Sequence, residues 1–119
     1  MNHYTELARI NRSGFEVVVD CTPEHTALAD CFDPSVDDIA RLERQVDQGV
    51  YEWFVLRVRA MVDDHVLADE YLGGCLYAHA ADVLTDGVAE DLIEAVIAQA
   101  QSASVKLVAR LQEIVPQAG

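Results

Sequence analysis

Lysine and arginine are scarce in this chain of 119 residues, which contains a single lysine. Its 8 Lys and Arg residues stand against 21 Asp and Glu residues, and the formal net charge at pH 7 is −13. Such a charge repels nucleic acids and anionic membrane surfaces, and it favours basic partners. The composition therefore argues against a protein that binds nucleic acid or lipid directly.

The chain also lacks the motifs of most enzyme classes and of structural metal sites. It contains no Gly-x-Gly-x-x-Gly, no phosphate-binding loop, no Gly-x-Ser-x-Gly and no His-Glu-x-x-His. Its three cysteines include no Cys-x-x-Cys pair, which is typical of free thiols in a reducing compartment. Cys21, His25 and Cys31 remain conceivable metal ligands, and Cys75 with His79 a conceivable nucleophile and base. We predict instead an unreactive Cys75, because burial raises the pKa of a thiol, and a protein that is not an enzyme and has no metal or cofactor.

Long hydrophobic runs are missing as well, and we expect no signal peptide from the pattern of the first residues. No uncharged run approaches the 18 residues that a transmembrane helix needs, and residues 1–6 lack the charged and apolar regions of a signal peptide. The length is that of one domain, and no Pro-, Gly- or Ser-rich linker divides it. We therefore expect one soluble, cytoplasmic domain over residues 1–119.

Hydrophobic periodicity predicts an α+β domain in the order α-β-α-β-β-α. The sheet would be small and antiparallel, with about three strands, helices packed on one face and a long C-terminal helix. The predicted helices are Met1–Arg12, the segment that begins at Asp33-Pro34-Ser35 and ends at Gly49, and Val88–Val115. The predicted strands are Phe15–Cys21, Val50–Met61 and Val66–Tyr77. The residues expected to be buried are Phe15, Val17, Val19, Phe54, Leu56, Val58, Leu72, Ile93, Val96, Ile97 and Leu107.

The last two strands are predicted to form a hairpin, because a short polar turn separates two apolar runs. A pairing centred near Asp64 places Arg59 opposite Asp69 and Arg57 near Tyr71. Opposite charges and cation–aromatic neighbours would then stabilise the outer face of the hairpin.

Two adjacent glycines, Gly73 and Gly74, interrupt the apolar and aromatic run DEYLGGCLYAH. A glycine pair inside a strand marks a bulge, a bend or a close approach of another group. The hairpin register places the pair opposite Val55 and Phe54 and beside Trp53. We predict that the glycines serve backbone conformation and leave space for a large ring from the neighbouring strand.

The C-terminal helix is predicted to be about 40 Å long, more than a domain of this size can cover. Its apolar residues follow a four-three spacing that continues to the end of the helix. We expect either a bend near residues 101–104 or packing against a second copy. The expected seam of a homodimer consists of Ile93, Ile97, Leu107, Leu111 and Ile114.

Between Arg59 and Lys106 the chain has nine carboxylates and no lysine or arginine. We predict that these carboxylates bind a basic protein surface, because a concentrated negative field selects positive partners. The alternative is a solvated acidic surface of environmental origin, as in salt-adapted organisms or organisms with a high-GC genome. The nine residues are Asp63, Asp64, Asp69, Glu70, Asp82, Asp86, Glu90, Asp91 and Glu94.

The strand Glu52–Ala60, followed by a turn and by Asp69–Tyr77, resembles a family of small acidic proteins from phages, prophages and plasmids. The shared features are a Trp-containing strand, a turn, Tyr-Leu-Gly-Gly-Cys-x-Tyr and an acidic helical region, mainly over residues 50–100. The family has no assigned activity, so the resemblance implies a genomic context and a hairpin only. In that context we expect a non-enzymatic inhibitor of a host defence or nucleic-acid-binding protein, of the anti-CRISPR or anti-restriction type, that acts by nucleic-acid mimicry. The alternatives are a structural or dimerising accessory protein and, third, a metal- or thiol-dependent enzyme.

Overall fold

The computed structural model describes residues 3–33, 35 and 38–115, and it contains one antiparallel sheet and two α-helices. The strands pair in sequence order, β1-β2-β3-β4. They are β1 (Thr5–Arg12), β2 (Phe15–Pro23), β3 (Glu52–Val62) and β4 (His65–Tyr77). The helices are α1 (Ile39–Asp47) and α2 (Val88–Ile114), each preceded by a short 3₁₀ segment, Leu28–Asp30 or Ala80–Leu84. The predicted α+β class and the long C-terminal helix are confirmed, and the sheet has four strands rather than three.

The predicted N-terminal helix over Met1–Arg12 is wrong, because the described part of this segment forms the edge strand β1. Ser13 and Gly14, which by sequence suit the end of a helix, instead have φ values of 55° and 85°. Positive φ at two successive residues makes the tight hairpin turn whose twist matches that of the flanking strands. The hairpin sets Ile10 opposite Val17 in the core, so pairing with β2 overrides the helical spacing.

Helix α1 begins later than predicted. Its N-cap is Asp38, whose carboxylate accepts a hydrogen bond from the backbone N–H of Arg41 at 3.1 Å. The helix was predicted to start at Asp33-Pro34-Ser35, but Asp33 and Ser35 are not helical, and Pro34, with residues 36 and 37, lies outside the described residues. The helix ends at Asp47, close to the predicted end at Gly49. None of its residues is buried, and it lies beside the Leu28–Asp30 segment, so α2 is the helix that covers the sheet.

The core lies between α2 and one face of the sheet. Nine of the eleven residues predicted to be buried are buried there, and Leu56 and Val96 are completely enclosed. The predictions for Leu72 and Leu107 are wrong, since these side chains are 40% and 45% exposed. Leu72 lies on the edge strand β4, which has a neighbouring strand on one side only. Leu107 lies beyond Ala100, the last buried residue of α2.

The β3–β4 hairpin has the predicted register in its central part. Arg59 pairs with Asp69, and Arg57 pairs with Tyr71. These residues lie on the face of the sheet that points away from α2, here called the open face. The turn is formed by residues 63 and 64, both with positive φ.

The molecule is elongated because α2 extends past the sheet. Its radius of gyration is 18.4 Å, whereas a compact domain of this length has about 13.5 Å. The longest dimension is 69 Å, against 28 and 23 Å for the other two. Helix α2 is continuous through residues 101–104, where a bend was one of the two expectations. In this part of the helix, Ser104 Oγ donates a hydrogen bond to the carbonyl oxygen of Ala100 at 2.7 Å.

Candidate interaction surfaces

The nine carboxylates predicted to bind a partner are mostly accessible. Seven are exposed, and only Glu70 and Glu90 are half-buried. Among the residues that the structure describes, Glu90 is the only one of the nine in an ion pair, with Nη1 of Arg12 2.5 Å from its carboxylate. The other eight are therefore not neutralised by a described cation.

The nine residues do not form one contiguous patch. Two lie in the β3–β4 turn, and the neighbouring residues Asp69 and Glu70 lie on opposite faces of β4. Asp69 is on the open face, while Glu70 accepts a hydrogen bond from Gln99 of α2. The remaining five occupy the segment from Asp82 to Glu94, which includes the start of α2. Acidic groups therefore surround several sides of the molecule.

Asp86 is committed to the start of α2. Its carboxylate accepts hydrogen bonds from the backbone N–H of Val88 at 3.0 Å and from the hydroxyl of Tyr77 at 2.6 Å. The bond from Tyr77, with that from Val88, lowers the pKa of Asp86. The same bond to Asp86, with some loss of hydration, raises the pKa of Tyr77 to about 12. Asp86 thus holds β4 and α2 together, whatever else it binds.

Most of the chain's cations are held by acids of the same chain. Arg57 donates from Nε and Nη2 to both carboxylate oxygens of Asp20, at 2.8 and 2.6 Å, and Nη2 of Arg59 lies 3.2 Å from the same carboxylate. Asp20 is 4% exposed on the open face, and the guanidinium of Arg57 also stacks on the ring of Tyr4 at 3.5 Å. Arg9 pairs with carboxylates on β1 and β2. The open face therefore carries an ionic network in which Asp20 pairs with both arginines, while the buried Nε of Arg59 has no hydrogen-bond partner among the described residues.

Sequence analysis missed the role of Asp20. A signal was present, because an acid inside a run of β-branched residues needs a cationic partner when it is buried. The partner could not be identified without the β2–β3 register, which sets Asp20 opposite Arg57.

The glycine pair is a bulge, and the prediction of a special backbone conformation with space for a ring is confirmed at Gly74, whereas Gly73 faces a carboxylate instead of a ring. Phe54 pairs with Cys75 and Leu56 with Leu72, so Gly73 and Gly74 together face a single residue of β3. Gly74 has φ +68°, and a Cβ at that position would lie 3.4 Å from Cη2 of Trp53. The predicted pairing of Gly74 with Phe54 is displaced by one residue, because the bulge shifts the register.

Glu24 is a second partner of this bulge that sequence analysis did not identify. Its carboxylate accepts hydrogen bonds from the backbone N–H of Thr26 at 3.0 Å and of Gly74 at 2.9 Å, and these bonds lower its pKa. A Cβ on Gly73 would approach Oε2 of Glu24 to 2.9 Å. The indole N–H of Trp53 donates to the carbonyl oxygen of Thr26 at 2.8 Å. Because neither glycine has a side chain, groups from the connection between β2 and α1 can approach the bulge closely.

The thiols and histidines do not form a metal-binding cluster in the described part of the chain. Cys75 is buried, and the loss of hydration is the main cause that raises its pKa. Within residues 3–33, 35 and 38–115, no group of three or more His, Cys, Asp or Glu side chains is arranged to hold a metal ion. The candidate ligands Cys21, His25 and Cys31 are thus not brought together as a site.

The residues of the predicted homodimer seam fall into two groups, one buried and one exposed. Ile93 and Ile97 are 5% and 8% exposed and belong to the core of a single chain. Leu107, Leu111 and Ile114 lie on the exposed second half of α2. By length and composition alone α2 could also cross a membrane, but core helices of soluble proteins share this property.

Comparison of the chain with protein-family models, with curated proteins and with solved structures finds no match. Any functional interpretation therefore rests on the chain's own surfaces.

Proposed function

We propose that the chain is a non-enzymatic acidic binding protein of a mobile element that occupies a basic, nucleic-acid-binding surface of a host protein. The small size, the acidity and the hairpin sequence that resembles mobile-element proteins support an inhibitor of the anti-CRISPR or anti-restriction type. Its partner is a protein; neither nucleic acid nor a membrane is bound directly.

The proposal rests on a difference in ion pairing between the arginines and the carboxylates of the chain. Arg9, Arg12, Arg57, Arg59 and Arg110 all pair with carboxylates of the same chain. Seven of the nine carboxylates between residues 60 and 105 are exposed, and eight have no ion pair among the described residues. The excess negative charge is therefore directed to solvent rather than consumed in the fold.

A nucleic acid offers a basic protein a dense row of negative charges, about one per 1.7 Å of duplex axis. A mimic must supply unpaired carboxylates on a rigid support, so that they meet the partner's Lys and Arg side chains without a large loss of side-chain freedom. Strands, a tight turn and the first turns of a helix provide that support here. Carboxylates on several sides suit a partner whose basic channel surrounds its ligand.

The test begins with a partner recovered on the immobilised chain from cells of the host. The proposal expects a basic nucleic-acid-binding protein that the chain and a DNA duplex bind competitively. Neutralisation of four acids, by Asp63→Asn, Asp64→Asn, Asp91→Asn and Glu94→Gln, should weaken binding at least tenfold and reduce its dependence on salt. Asn tolerates the positive φ at residues 63 and 64, and Asp86 is left intact because it stabilises the start of α2.

A matched control removes two acids from α1 by Glu43→Gln and Asp47→Asn, both on exposed side chains. This variant should bind the partner as the unsubstituted chain does. If the partner's affinity is unchanged by the four neutralisations and by salt, the acidity is environmental and the proposal fails.

A dimerising accessory protein is the second candidate, and the exposed apolar half of α2 favours it. Val105, Val108 and Ile114 are 72%, 54% and 62% exposed there. Exposed apolar surface of this extent on one element marks an interaction site. The two candidates are distinguished by the residues they need: exposed carboxylates for the first, and the end of α2 for the second.

A further inference from the structure

Strand β4 forms one free edge of the sheet. It spans 13 residues, about twice the usual length of a strand, and no other described strand pairs with its outer side. The backbone N–H and C=O groups of every second residue therefore point away from β3. A long free edge of this kind is a template on which another extended segment can pair.

The open face indicates which charge such a segment should carry. Ion-pairing side chains alternate in sign from strand to strand, with Arg9 on β1, Asp20 on β2 and Arg57 on β3. Asp69 on β4 continues the alternation and lies opposite Arg59. Both arginines of β3 pair with Asp20, however, and Asp69 has no ion pair among the described residues. A cation on a fifth strand would complete the series.

A groove of about 380 Å³ lies along the same strand. Its walls are formed by Phe32 and by residues 72–77 of β4. Leu72 and Cys75 pair with core residues of β3, whereas Leu76 pairs with Trp53 on the open face. Because the walls come from both sides of β4, the groove follows the free edge of the strand. Its largely apolar walls suit an apolar side chain.

We propose that the β4 edge binds an extended basic segment of the partner protein as a fifth, antiparallel strand. Asp69 pairs with Arg59 and Leu76 with Trp53, so these two positions of β4 are six residues apart along β3. The added segment therefore carries Lys or Arg opposite Asp69 and an apolar residue six positions earlier, in the groove. Main-chain hydrogen bonds supply affinity, and the two side chains supply specificity. This mode of binding depends on the proposed function for the basic character of the partner.

A second copy of the chain does not suit this edge. Strand β4 contains Asp69 and Glu70 but no Lys or Arg, and the turn residues 63 and 64 are also acidic. Antiparallel pairing of two β4 strands would bring these acids together without a cation. Like charges on neighbouring strands are destabilising, so a basic segment of another protein is the favoured occupant.

The test uses a fluorescein-labelled synthetic peptide of nine residues, with leucine at position 2, arginine at positions 6 and 8 and threonine elsewhere. Position 8 then lies opposite Asp69, position 6 opposite Tyr71 and position 2 opposite Leu76. Fluorescence anisotropy should show saturable binding. Strand pairing uses the N–H groups of alternate residues only. Of two peptides that are N-methylated at positions 3, 5 and 7 or at positions 4, 6 and 8, one should therefore lose binding at least about tenfold, and the other should bind as the unmodified peptide does.

A charge exchange tests the contact at Asp69. Asp69→Lys should weaken binding of the peptide roughly tenfold, and a peptide with glutamate at position 8 should bind this variant more tightly than it binds the unsubstituted chain. The matched control is Asp47→Lys, the same change of charge at an exposed residue of α1, which should leave the affinity unchanged.

Equal binding of the two N-methylated peptides would overturn the proposal, because attraction between charges would then explain the binding. A peptide that does not bind would overturn it as well, since the acids of β4 would then serve only to keep the edge from pairing. Recovery of the host partner distinguishes this failure from that of the proposed function. A basic partner that the peptide does not displace would refute strand addition alone. Alternation-dependent peptide binding without a basic partner would refute the proposed function and leave the β4 edge as a peptide-binding site.

Discussion

Gly74→Ala is the substitution that tests the architecture of the hairpin most directly. Gly74 has φ +68°, and an alanine in that region costs roughly 1–2 kcal/mol of folding free energy. Its Cβ would lie 3.4 Å from Cη2 of Trp53 and 3.6 Å from Sγ of Cys31, which are ordinary van der Waals distances. We therefore expect a loss of about 1–2 kcal/mol in the free energy of unfolding, which comes from the backbone strain.

The control is Gly49→Ala. Gly49 has a similar φ of +77°, but no atom lies within 4 Å of the position of an added Cβ. The difference between the two variants therefore isolates the packing of Trp53 and Cys31 against the bulge from backbone strain.

Urea unfolding is the appropriate measurement, because Trp53 is the chain's single tryptophan and lies beside the substituted residue. Far-ultraviolet circular dichroism should give the same midpoint as fluorescence if unfolding is two-state. A loss below about 0.5 kcal/mol for Gly74→Ala would refute the strained-bulge account, since αL strain alone exceeds that value. A loss much larger than that of Gly49→Ala would show that Trp53 or Cys31 has to move to accommodate the added methyl group.

Three further substitutions test the core, the ionic network and the β4–α2 contact. Leu56→Ala, at a side chain with no exposure, should cost about 2–5 kcal/mol in urea unfolding. Asp20→Asn should cost about 3 kcal/mol, because it leaves Arg57 partly buried without its carboxylate, whereas exposed Asp69→Asn should change stability by less than about 0.5 kcal/mol. The pKa of Tyr77 is raised from 10.0 to about 12, so the stabilisation from its bond to Asp86 is complete below pH 10 and is lost as the pH rises towards 12. The stability difference between the unsubstituted chain and Tyr77→Phe should follow that course, and a tyrosinate absorbance titration of the variant should lack the step near pH 12.

The sequence predicted the fold correctly where its pattern of apolar residues was compatible with only one type of secondary structure. In β3, strict alternation from Phe54 to Ala60 fixed the buried face, and the short polar turn fixed the central register with β4. In α2, residues 88–114 contain no proline or glycine, and helical spacing extends over the whole segment.

The prediction for the N-terminal segment was wrong because its sequence signal was ambiguous. Ser13-Gly14 suits both a helix end and a two-residue hairpin, and only the presence of β2 as a pairing partner decides between them. The long-range partners of the glycine bulge were inaccessible for a related reason. Glu24 is 50 residues from Gly74 in sequence, and no local pattern connects them.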